Sequence, residues 1–420
     1  MQQDRMFEGP GAERLAQIFL KPRVGRHRWL LFLAEAVMRP LVFFSGRTSA
    51  AELLPVKRIL VCDSGLLGDA VLLAPFLRGL RNRYPDSHIA LLGRAVSGAL
   101  LMDQNLIDER LPVELPWDQR LSFWKRHNPF SLLWTKFFRE VWRLRQRRFD
   151  LAVATGWGSD LRENLVIWLS GARRRVGYGY AGGDFFLTDV VPADLTRPHV
   201  VDRNLRLLEH IGMWVERGGE SLAVNADAER TVADLLAHHG VGNEDLVIGI
   251  NPGAGSAIRE WGDERFADVG RWAAERFNAR ILWFTDPTKP KPVPANVDAI
   301  RLGLPLGQMM AALSRCQLFI CNDSGPMHVA AALKVPVVAV FGPQRPEWFG
   351  PYGEGHQVVI RHEMWCRPCA DQCRWKEPYC LRLISVEQVM EAVRAKLECP
   401  ESTAWRSPVE AWVRKPQAAD

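Results

Sequence analysis

The residues best suited to chemistry follow three short apolar runs along the chain. In the first segment, CDSGLLGDAVLLAP at 62–75, a loop leads into a helix that is predicted to begin at Gly68 and Asp69. A carboxylate in the first turn of such a helix can act as a general base for a hydroxyl group. It can equally be a helix-start acid that interacts favourably with the macrodipole, and spacing alone leaves both interpretations open. Asp63 and Ser64 are predicted to form the turn.

The second segment, NPGAGSAIREW at 251–261, places a glycine-rich loop after a strand. Backbone N–H groups around Gly253 and Gly255 are suited to phosphate oxygens, because such a loop after a strand can hold an anion. Arg259 follows within reach and can neutralise a diphosphate through charge-assisted hydrogen bonds. The alternative is a plain strand-to-helix connection with a solvated arginine. Trp261 is predicted to be a packing residue.

The third segment, CNDSGPMHVAAAL at 321–333, is the most informative of the three. Either Asp323 or Ser324 is predicted to cap a helix. The N–H groups at Ser324 and Gly325 would then face a ligand crevice, which suits a pyrophosphate. His328 lies one turn further on and can donate a hydrogen bond to an anion. The alternatives are a purely capping Asp323 and a histidine whose hydrogen bonds are satisfied in the core.

Four cysteines lie close together near the end of the chain, at positions 366, 369, 373 and 380. Four thiolates at this density can form a tetrahedral zinc site or hold iron. The spacing differs from that of a standard zinc finger, so reduced packing cysteines are the alternative. Eight cysteines in 420 residues do not make a disulfide scaffold, which favours a local thiol or metal site in a reducing compartment. The metal-ligand candidates are Cys366, Cys369, Cys373 and Cys380.

After residue 55 the chain alternates strand, loop and helix, and this alternation must position the three segments. The pattern is typical of an α/β fold with a parallel sheet, whose ligands bind at the carboxyl ends of the strands. A second round begins near residue 246, which predicts two Rossmann-like halves joined at 210–245. Helices are predicted over 68–84 and 263–277. The predicted strands are 57–63, 88–93, 149–156, 173–180, the start of 246–255, 279–286, 316–323, 335–342 and 356–360.

Length and composition exclude several classes of protein. With 420 residues the chain is long enough for about two to three domains. Apolar residues make up 47% and charged residues 24%, close to globular averages, which argues against long disorder, collagen and coiled coil. A net charge of +6 is too small to imply a nucleic acid partner, and none is predicted. The loop at 62–75 lacks the GxGxxG pattern, so a dinucleotide cofactor is disfavoured.

Two segments favour contact with an anionic membrane surface. Residues 29–44 are apolar but too short for a spanning helix, and are predicted either to lie on a membrane or to pack on the main domain. Residues 119–148 carry nine Lys and Arg, one acid and interleaved aromatics. This favours an anionic membrane or a phosphorylated substrate over a solvated basic face. Because residues 1–28 lack the apolar core of a signal peptide, we predict a cytoplasmic protein, peripheral on the inner face of the cytoplasmic membrane.

Five motifs in order along the chain resemble those of the family 9 glycosyltransferases, the lipopolysaccharide heptosyltransferases. They are GDAVLLAPFLRGLR, NPGAG with REW, NDSGPMHVAAAL, FGPQRPEWFGPYG and CRPCADQCRWKEPYCLRLISVEQV, and the likeness covers about 57–397. The resemblance implies a GT-B fold, in which two Rossmann-like domains face each other across a cleft. It also implies transfer of heptose from an ADP-activated sugar to a lipid-linked lipopolysaccharide core acceptor, with inversion and with no cofactor for catalysis.

The resemblance also implies a domain organisation. Residues 56–215 would bind the acceptor, 216–245 would be a linker, and 246–398 would bind the nucleotide-sugar donor. The donor domain would include the Cys-rich loop 366–380 and end in a helix at about 385–397 that returns towards the N-terminal domain. An extension at 1–55 and a tail at 399–420 lie outside the usual pattern, and the extension leaves a different acceptor open.

Residue by residue, the resemblance assigns roles to the motifs. Asp69 matches the catalytic carboxylate, and Arg259 stands where the family commonly carries a lysine that contacts the phosphates. Asp286 is a candidate for the nucleotide ribose. The matches to the donor-binding motif are Asp323, Ser324, Gly325 and His328. The candidates for the acceptor pocket are Gly68, Arg94, Arg175 and His199.

Three alternatives stay open at this point. The chain could act on a protein or another glycan as acceptor within the same family. It could be a GT-B epimerase of a sugar nucleotide, although the basic aromatic stretch argues mildly against an enzyme that needs no acceptor. It could also be a non-catalytic nucleotide-binding protein, in which case Asp69 would be only a helix-start acid.

Overall fold

The computed structural model describes residues 55–112, 132–155, 161–179, 183–192, 199–213, 222–369 and 371–398, with the backbone alone at 132–135. The predicted surface helix at 29–44, the first part of the basic stretch at 119–131 and the tail lie outside these residues. The described residues fall into two compact units. Those within Met1–Leu66, Leu73–Leu195 and Asp202–Val215 form the first, and those within Leu67–Leu72, Thr196–Val201 and Glu216–Asp420 form the second.

The first unit contains a six-stranded parallel sheet in the order β3-β2-β1-β4-β5-β6. Its central strands are continuous apolar runs, such as Ile59, Leu60 and Val61, because both faces of a parallel sheet are covered. The strands are β1 (Arg58–Cys62), β2 (His88–Leu92), β3 (Glu109–Leu111), β4 (Leu151–Ala154), β5 (Arg174–Tyr178) and β6 (Asp189–Val191). The helices of this part of the chain are α1 (Leu67–Arg83), α2 (Ala95–Asp103), α3 (Leu132–Gln146), α4 (Leu161–Leu169) and α5 (Val200–His210). Residues 67–72 of α1 and 200–201 of α5 belong to the second unit.

The second unit contains another six-stranded parallel sheet, in the order β12-β11-β10-β7-β8-β9. The strands are β7 (Val247–Asn251), β8 (Arg280–Phe284), β9 (Ile300–Leu302), β10 (Leu318–Asn322), β11 (Val337–Phe341) and β12 (Gln357–Ile360). The helices are α6 (Ala226–His238), α7 (Asp263–Phe277), α8 (Leu306–Ser314), α9 (Gly325–Ala332), α10 (Pro346–Phe349), α11 (Tyr379–Arg382) and α12 (Val386–Glu398). Its core includes the fully buried Trp261, Trp283 and Phe266.

Both sheets have the strand order of a Rossmann fold, read in chain order from the first strand of each. In each sheet the chain reverses direction across the sheet once, between β1 and β4 in the first and between β7 and β10 in the second. Loops on either side of such a reversal point diverge and leave a crevice at the carboxyl ends of the strands. The prediction of two Rossmann-like halves is confirmed.

Several local predictions differ from the structure. Three strands were not predicted, β3, β6 and β9, and each has three residues at one edge of its sheet. Residues 226–238 of the predicted linker form helix α6, whose N-cap Asn225 accepts hydrogen bonds from two backbone N–H groups. The predicted last helix is present as α12, and Val389 and Val393 pack in the core of the second unit.

Candidate active site

Two asparagines at neighbouring strand ends hold the crevice of the second sheet in shape. Asn251 ends β7, and its Nδ2 donates to the oxygen of Gly253 at 3.0 Å and to Oγ of Ser324 at 3.3 Å. Asn322 ends β10, and its Nδ2 donates to the oxygen of Pro252 at 2.7 Å. Its Oδ1 accepts from the backbone N–H of Trp261 at 3.1 Å. The two side chains therefore tie the loop after β7 to the loop after β10. Neither asparagine was predicted as a site residue, although each ends a predicted apolar strand.

Helix α9 begins at the carboxyl end of β10 and directs its N-terminus into this crevice. Ser324 is its N-cap residue in extended conformation, and no side-chain capping hydrogen bond forms there. Ser324 is thus the N-cap residue, one of the two predicted candidates, but its hydroxyl accepts from Asn251 and does not cap the helix, while Asp323 faces Arg259. A helix N-terminus without a side-chain cap presents partial positive charge, which attracts an anion.

Arg259 lies between two carboxylates. Its Nε and Nη2 donate to Oδ1 and Oδ2 of Asp371 at 2.8 and 2.5 Å, while its Nη1 lies 3.3 Å from Oδ2 of Asp323. Burial alone would lower the pKa of Arg259, but hydrogen bonding to Asp371 and the charges of the nearby carboxylates raise it. The guanidinium is therefore a permanent cation in the crevice, and its contact with a diphosphate stays a prediction. Asp371, which lies 112 residues away along the chain, was not predicted as a site residue.

Asp323 and His328 are buried polar groups with unused hydrogen-bonding capacity. Burial raises the pKa of Asp323 to about 6, against the opposing charge of Arg259. Burial also lowers the pKa of His328 to about 3, so its imidazole is neutral at physiological pH. Within the described residues, Oδ2 of Asp323 and Nδ1 of His328 accept or donate no hydrogen bond. The described residues therefore do not fully satisfy His328, and the only printed partner of Oδ2 of Asp323 is the ion pair with Arg259.

Gly68 and Asp69 belong to the second unit, whose contacts include residues 67–72 at the start of α1. An added Cβ at Gly68 would lie 2.7 Å from Cδ2 of His328 and 3.5 Å from Cα of Gly325. Asp69 is in the first turn of α1, as predicted, and its charge acts on both Arg259 and Asp323. The structure thus brings the candidate base and the donor-binding motif of the resemblance into one cluster.

The predicted phosphate loop after β7 leaves open space beside its backbone. An added Cβ at Gly255 would meet no atom within 4 Å, and one at Gly253 would meet only Oδ1 of Asn251, at 3.9 Å. Packing within the protein therefore does not demand glycine at either position. Asp286 follows β8 and is exposed, and its Oδ1 accepts from both the backbone N–H and the hydroxyl of Thr288 at 2.7 Å. Its contact with a ribose stays a prediction.

The remaining acceptor candidates make structural contacts. Arg94 donates through Nε to the oxygen of Ser64 at 2.8 Å. Arg175 is buried and donates to the oxygens of Phe186 and Ala172, both at 2.7 Å. These bonds tie β5 to the segments before and after it.

His199, in the second unit, is also buried. Its Nδ1 accepts from the N–H of Val201 and its Nε2 lies 3.2 Å from the oxygen of Gly350. This pattern specifies the neutral imidazole with its proton on Nε2, and burial lowers the pKa of His199 to about 4. Both ring nitrogens are thereby engaged with the backbone.

The four clustered cysteines do not form a metal site in the structure. All four lie within the described residues, and no group of three or more metal-ligating side chains comes together there. Burial raises the pKa of Cys380 to about 11 and that of Cys369 above its usual value. As arranged, the four thiols do not fit a zinc or iron ion. Cys380 is buried, whereas Cys366, Cys369 and Cys373 are partly exposed.

The two Rossmann-like sheets are those of the GT-B fold of glycosyltransferases. The chain belongs to glycosyltransferase family 9 (heptosyltransferase), whose model matches residues 137–379, more than half of the sequence. The family resemblance and the class of enzyme predicted from the sequence are thus confirmed.

The chain is also similar to named heptosyltransferases and to a solved structure of the family. The chain is 21% identical over 320 residues to the lipopolysaccharide core heptosyltransferase OpsX of Haemophilus influenzae, covering 73% of this chain and 85% of that one. It is 35% identical over 86 residues to lipooligosaccharide heptosyltransferase 2 of Campylobacter jejuni, a match that covers 20% of this chain and only 27% of the relative. The crystal structure of the family 9 glycosyl transferase from Veillonella parvula superposes with a TM-score of 0.66 at 26% identity, over 83% of this chain and 99% of that one.

Proposed function

We propose that this protein transfers a heptose from an ADP-activated sugar to the core of a lipid-linked lipopolysaccharide acceptor, with inversion at the anomeric carbon. The second unit binds the donor and the N-terminal half binds the acceptor. The observation that carries the proposal is the cluster of Asp69, Arg259 and Asp323 at the carboxyl ends of β7 and β10. Such a cluster combines a carboxylate for proton transfer with a cation for a leaving diphosphate.

Asp69 is the general base of the proposed reaction. It takes the proton of the acceptor hydroxyl as that oxygen forms a bond to the anomeric carbon. On the opposite face, the bond from the anomeric carbon to the diphosphate oxygen breaks, and the electron pair leaves with ADP. General-base catalysis of this kind contributes roughly 10²–10⁴-fold. Asp69 lies in the first turn of α1, where the helix dipole interacts favourably with a negative charge.

The leaving diphosphate gains charge as the bond breaks, and the second unit stabilises that charge. Arg259 supplies a permanent cation, and the start of α9 supplies oriented backbone dipoles. Groups that are already oriented before the reaction stabilise developing charge without reorganising. The open space beside Gly253 and Gly255 allows the diphosphate to approach the backbone of that loop.

Two buried atoms are suited to the hydroxyls of the sugar. Oδ2 of Asp323 can accept a hydrogen bond, and Nδ1 of the neutral His328 can donate or accept one according to its tautomer. A site that hydrogen-bonds a hydroxyl rejects an analogue lacking it, because buried polar groups are then left unpaired. These two residues would therefore contribute to the selection of the donor sugar.

The acceptor's membrane would be contacted by the outward face of helix α3. Phe137 and Val141 are buried, whereas Phe138 and Trp142 are 58% and 62% exposed, next to the exposed Arg139 and Arg143. Exposed aromatics beside basic side chains suit the interface of an anionic membrane. In the described part of the chain no helix is long and apolar enough to span a membrane. The exposed aromatic and basic face of α3 is what supports our proposal of peripheral binding at the cytoplasmic face.

The test is a transfer assay by mass spectrometry with ADP-heptose and a heptose-deficient lipopolysaccharide acceptor. Wild type is compared with Asp69→Asn, which keeps the shape but cannot take a proton, and ADP binding is measured by calorimetry. We expect product from wild type, at least a hundredfold less from Asp69→Asn, and similar ADP affinity in both. Asp227→Asn, an exposed acid in the first turn of α6, is the matched control and should be fully active.

Other outcomes separate the alternatives. Absence of both transfer and ADP binding in wild type would contradict the glycosyltransferase proposal. ADP binding with transfer only to a protein or to another glycan would replace the acceptor. Release of an altered sugar nucleotide without any acceptor would instead indicate an epimerase.

A further inference from the structure

We propose that Asp371, in the Cys-rich loop 366–380, is a positioning residue that orients Arg259 for the donor diphosphate. The inference rests on the proposed function, since it assumes that Arg259 meets this diphosphate. It also gives the Cys-rich loop a role in the site that does not depend on a metal.

The contact between Asp371 and Arg259 has the geometry that orients a guanidinium best. Two parallel hydrogen bonds, at 2.8 and 2.5 Å, join the Nε–Nη2 edge of Arg259 to both carboxylate oxygens. A planar fork held by a planar carboxylate fixes direction as well as distance. The Nε–Nη2 edge is thereby committed to the protein, and Nη1 is left to face the crevice, 3.3 Å from Asp323.

The loop that carries Asp371 is itself fastened to the strand-end loop after β11. Arg367 donates through Nε to the oxygen of Gly342, and through Nη2 to the oxygen of Gln344 at 2.6 Å. The N–H of Cys369 donates to the oxygen of Pro343 at 3.2 Å. This set of bonds favours a fixed support for Arg259 over a lid that moves away from it.

Asp371 receives a further hydrogen bond and adopts an unusual backbone conformation. Nε2 of Gln344, a buried side chain, donates to its Oδ1 at 3.3 Å. The φ angle of Asp371 is +66°, in the left-handed region that costs energy for a residue with a side chain. The surrounding contacts hold the residue in this conformation, and the result is that its carboxylate meets Arg259.

Without this support, Arg259 has other carboxylates to turn to. Asp323 lies on its Nη1 side, and Asp69 contributes to the same electrostatic environment. A guanidinium released from Asp371 would swing its fork onto Asp323, because a buried carboxylate is a strong competitor for it. Arg259 would then be unavailable to the diphosphate, and Oδ2 of Asp323 would be unavailable to the sugar.

The direction of the change in ADP affinity on Asp371→Asn tests the proposal, because a purely electrostatic effect and a loss of orientation predict opposite changes. Asp371→Asn removes a negative charge close to the diphosphate, which by itself would tighten ADP binding. We expect instead that ADP binds about tenfold more weakly, because Arg259 loses the orientation for one charge-assisted hydrogen bond to the diphosphate. In the transfer assay we expect KM for the donor to rise and kcat to fall.

The experiment is a double-mutant cycle on the full chain, read by calorimetry with ADP and by transfer kinetics. Arg259→Lys places a point charge that cannot use a carboxylate fork. If Asp371 acts through orientation, Asp371→Asn has a large effect in wild type and little further effect with Arg259→Lys. Glu377→Gln is the matched control, because it removes a carboxylate from the same loop where Glu377 pairs with Arg382 instead. It should bind ADP like wild type.

Clear outcomes would overturn the proposal. If Asp371→Asn binds ADP as tightly as wild type or more tightly, Asp371 competes for Arg259 and does not support it. If the effects of the two substitutions simply add, orientation of Arg259 is not the mechanism. Gln344→Ala, which removes only the bond to Asp371, provides a milder variant should Asp371→Asn fail to fold. Failure of wild type to bind ADP would count against the proposed function and not against this pairing.

Discussion

Gly68 lies so close to His328 that an added side-chain carbon at position 68 would fall 2.7 Å from the Cδ2 atom of the ring. Real Cβ atoms essentially never approach another heavy atom so closely, so the ring would have to shift. His328 is buried and packed at the start of α9, which leaves it little room to do so. The absence of a side chain at position 68 therefore leaves the space that the imidazole of His328 occupies.

Gly68→Ala should reduce transfer while the fold persists. Displacing a substrate-contacting ring by a fraction of an ångström to an ångström costs up to about a hundredfold in rate. The gain of about 1 kcal/mol in helix propensity partly offsets the crowding, so the melting temperature should change little. The measurements are kcat and a thermal melt.

The control for this substitution is Gly307→Ala. Gly307 is also the second residue of a helix, α8, and an added Cβ there would meet nothing within 4 Å. This variant should keep full activity and be slightly more stable. Equal activity of Gly68→Ala and wild type would show that the Gly68–His328 contact does not position the ring.

Stability should fall in mild acid because buried histidines must take up protons on unfolding. Burial lowers the pKa of His356 to about 4, with the charge of Lys396 adding to the effect. A group whose folded pKa lies below its unfolded value of about 6.5 contributes stability that is present above pH 6.5. That stability is lost as the pH falls from 6.5 towards 4. By pH 5 the free energy of unfolding has fallen by about 2 kcal/mol per such histidine.

His356→Gln should therefore flatten the acid side of the stability curve. Urea unfolding at pH 7.5, 6 and 5 measures the free energy of unfolding, and the variant should lose about 2 kcal/mol less than wild type over this range. His238→Gln, on the exposed surface of α6, should follow the wild-type curve. Parallel curves for His356→Gln and wild type would mean that His356 is not buried as a neutral group.

Helix α3 should bind anionic membranes through its two exposed aromatics. Replacing both Phe138 and Trp142 by Ser removes about 1.5–3 kcal/mol of apolar burial for each fully inserted side chain. We expect co-sedimentation with vesicles containing anionic lipid to drop at least tenfold. Transfer to a delipidated, soluble acceptor should be unchanged.

The control for membrane binding is Met102→Ser. Met102 is an apolar side chain on α2 of the same unit and is 45% exposed. Helix α2 contains no aromatic residue. It should sediment like wild type. Vesicle binding that survives the double substitution, or that is equal for neutral and anionic lipid, would place the membrane contact elsewhere in the chain.

The central strands could be predicted from the sequence because each is an uninterrupted apolar run. Both faces of a parallel sheet are covered, so β1, β7 and β10 have almost no exposed residue. Their apolar composition alone therefore predicts them as buried strands. The strands β3, β6 and β9 could not be predicted in the same way. Each is a three-residue edge strand with a partner on one side only, and this geometry needs no apolar run.

The motif residues were found because their types are unusual at strand ends, but their partners were not. Asp69, Arg259 and Asp323 follow predicted strands, which is where a doubly wound fold binds ligands. Nothing in the local sequence distinguishes Asp371 from other acids of the chain, and its importance comes from a contact with a residue 112 positions away. Local spacing carries no information on pairs at such separations.

The sequence by itself determined the alternation of strands and helices, the two-fold repetition of that alternation and the helix starts that bear Asp69 and Asp323. These follow from periodicity and propensity, which are properties of a few neighbouring residues. Only the tertiary structure decided the strand order that makes β7 and β10 neighbours, and with it the meeting of Asn251 with Ser324 and of Arg259 with Asp371. The physical reason is that strand order is set by burial of whole faces and by closure of long loops, which involve the entire chain at once.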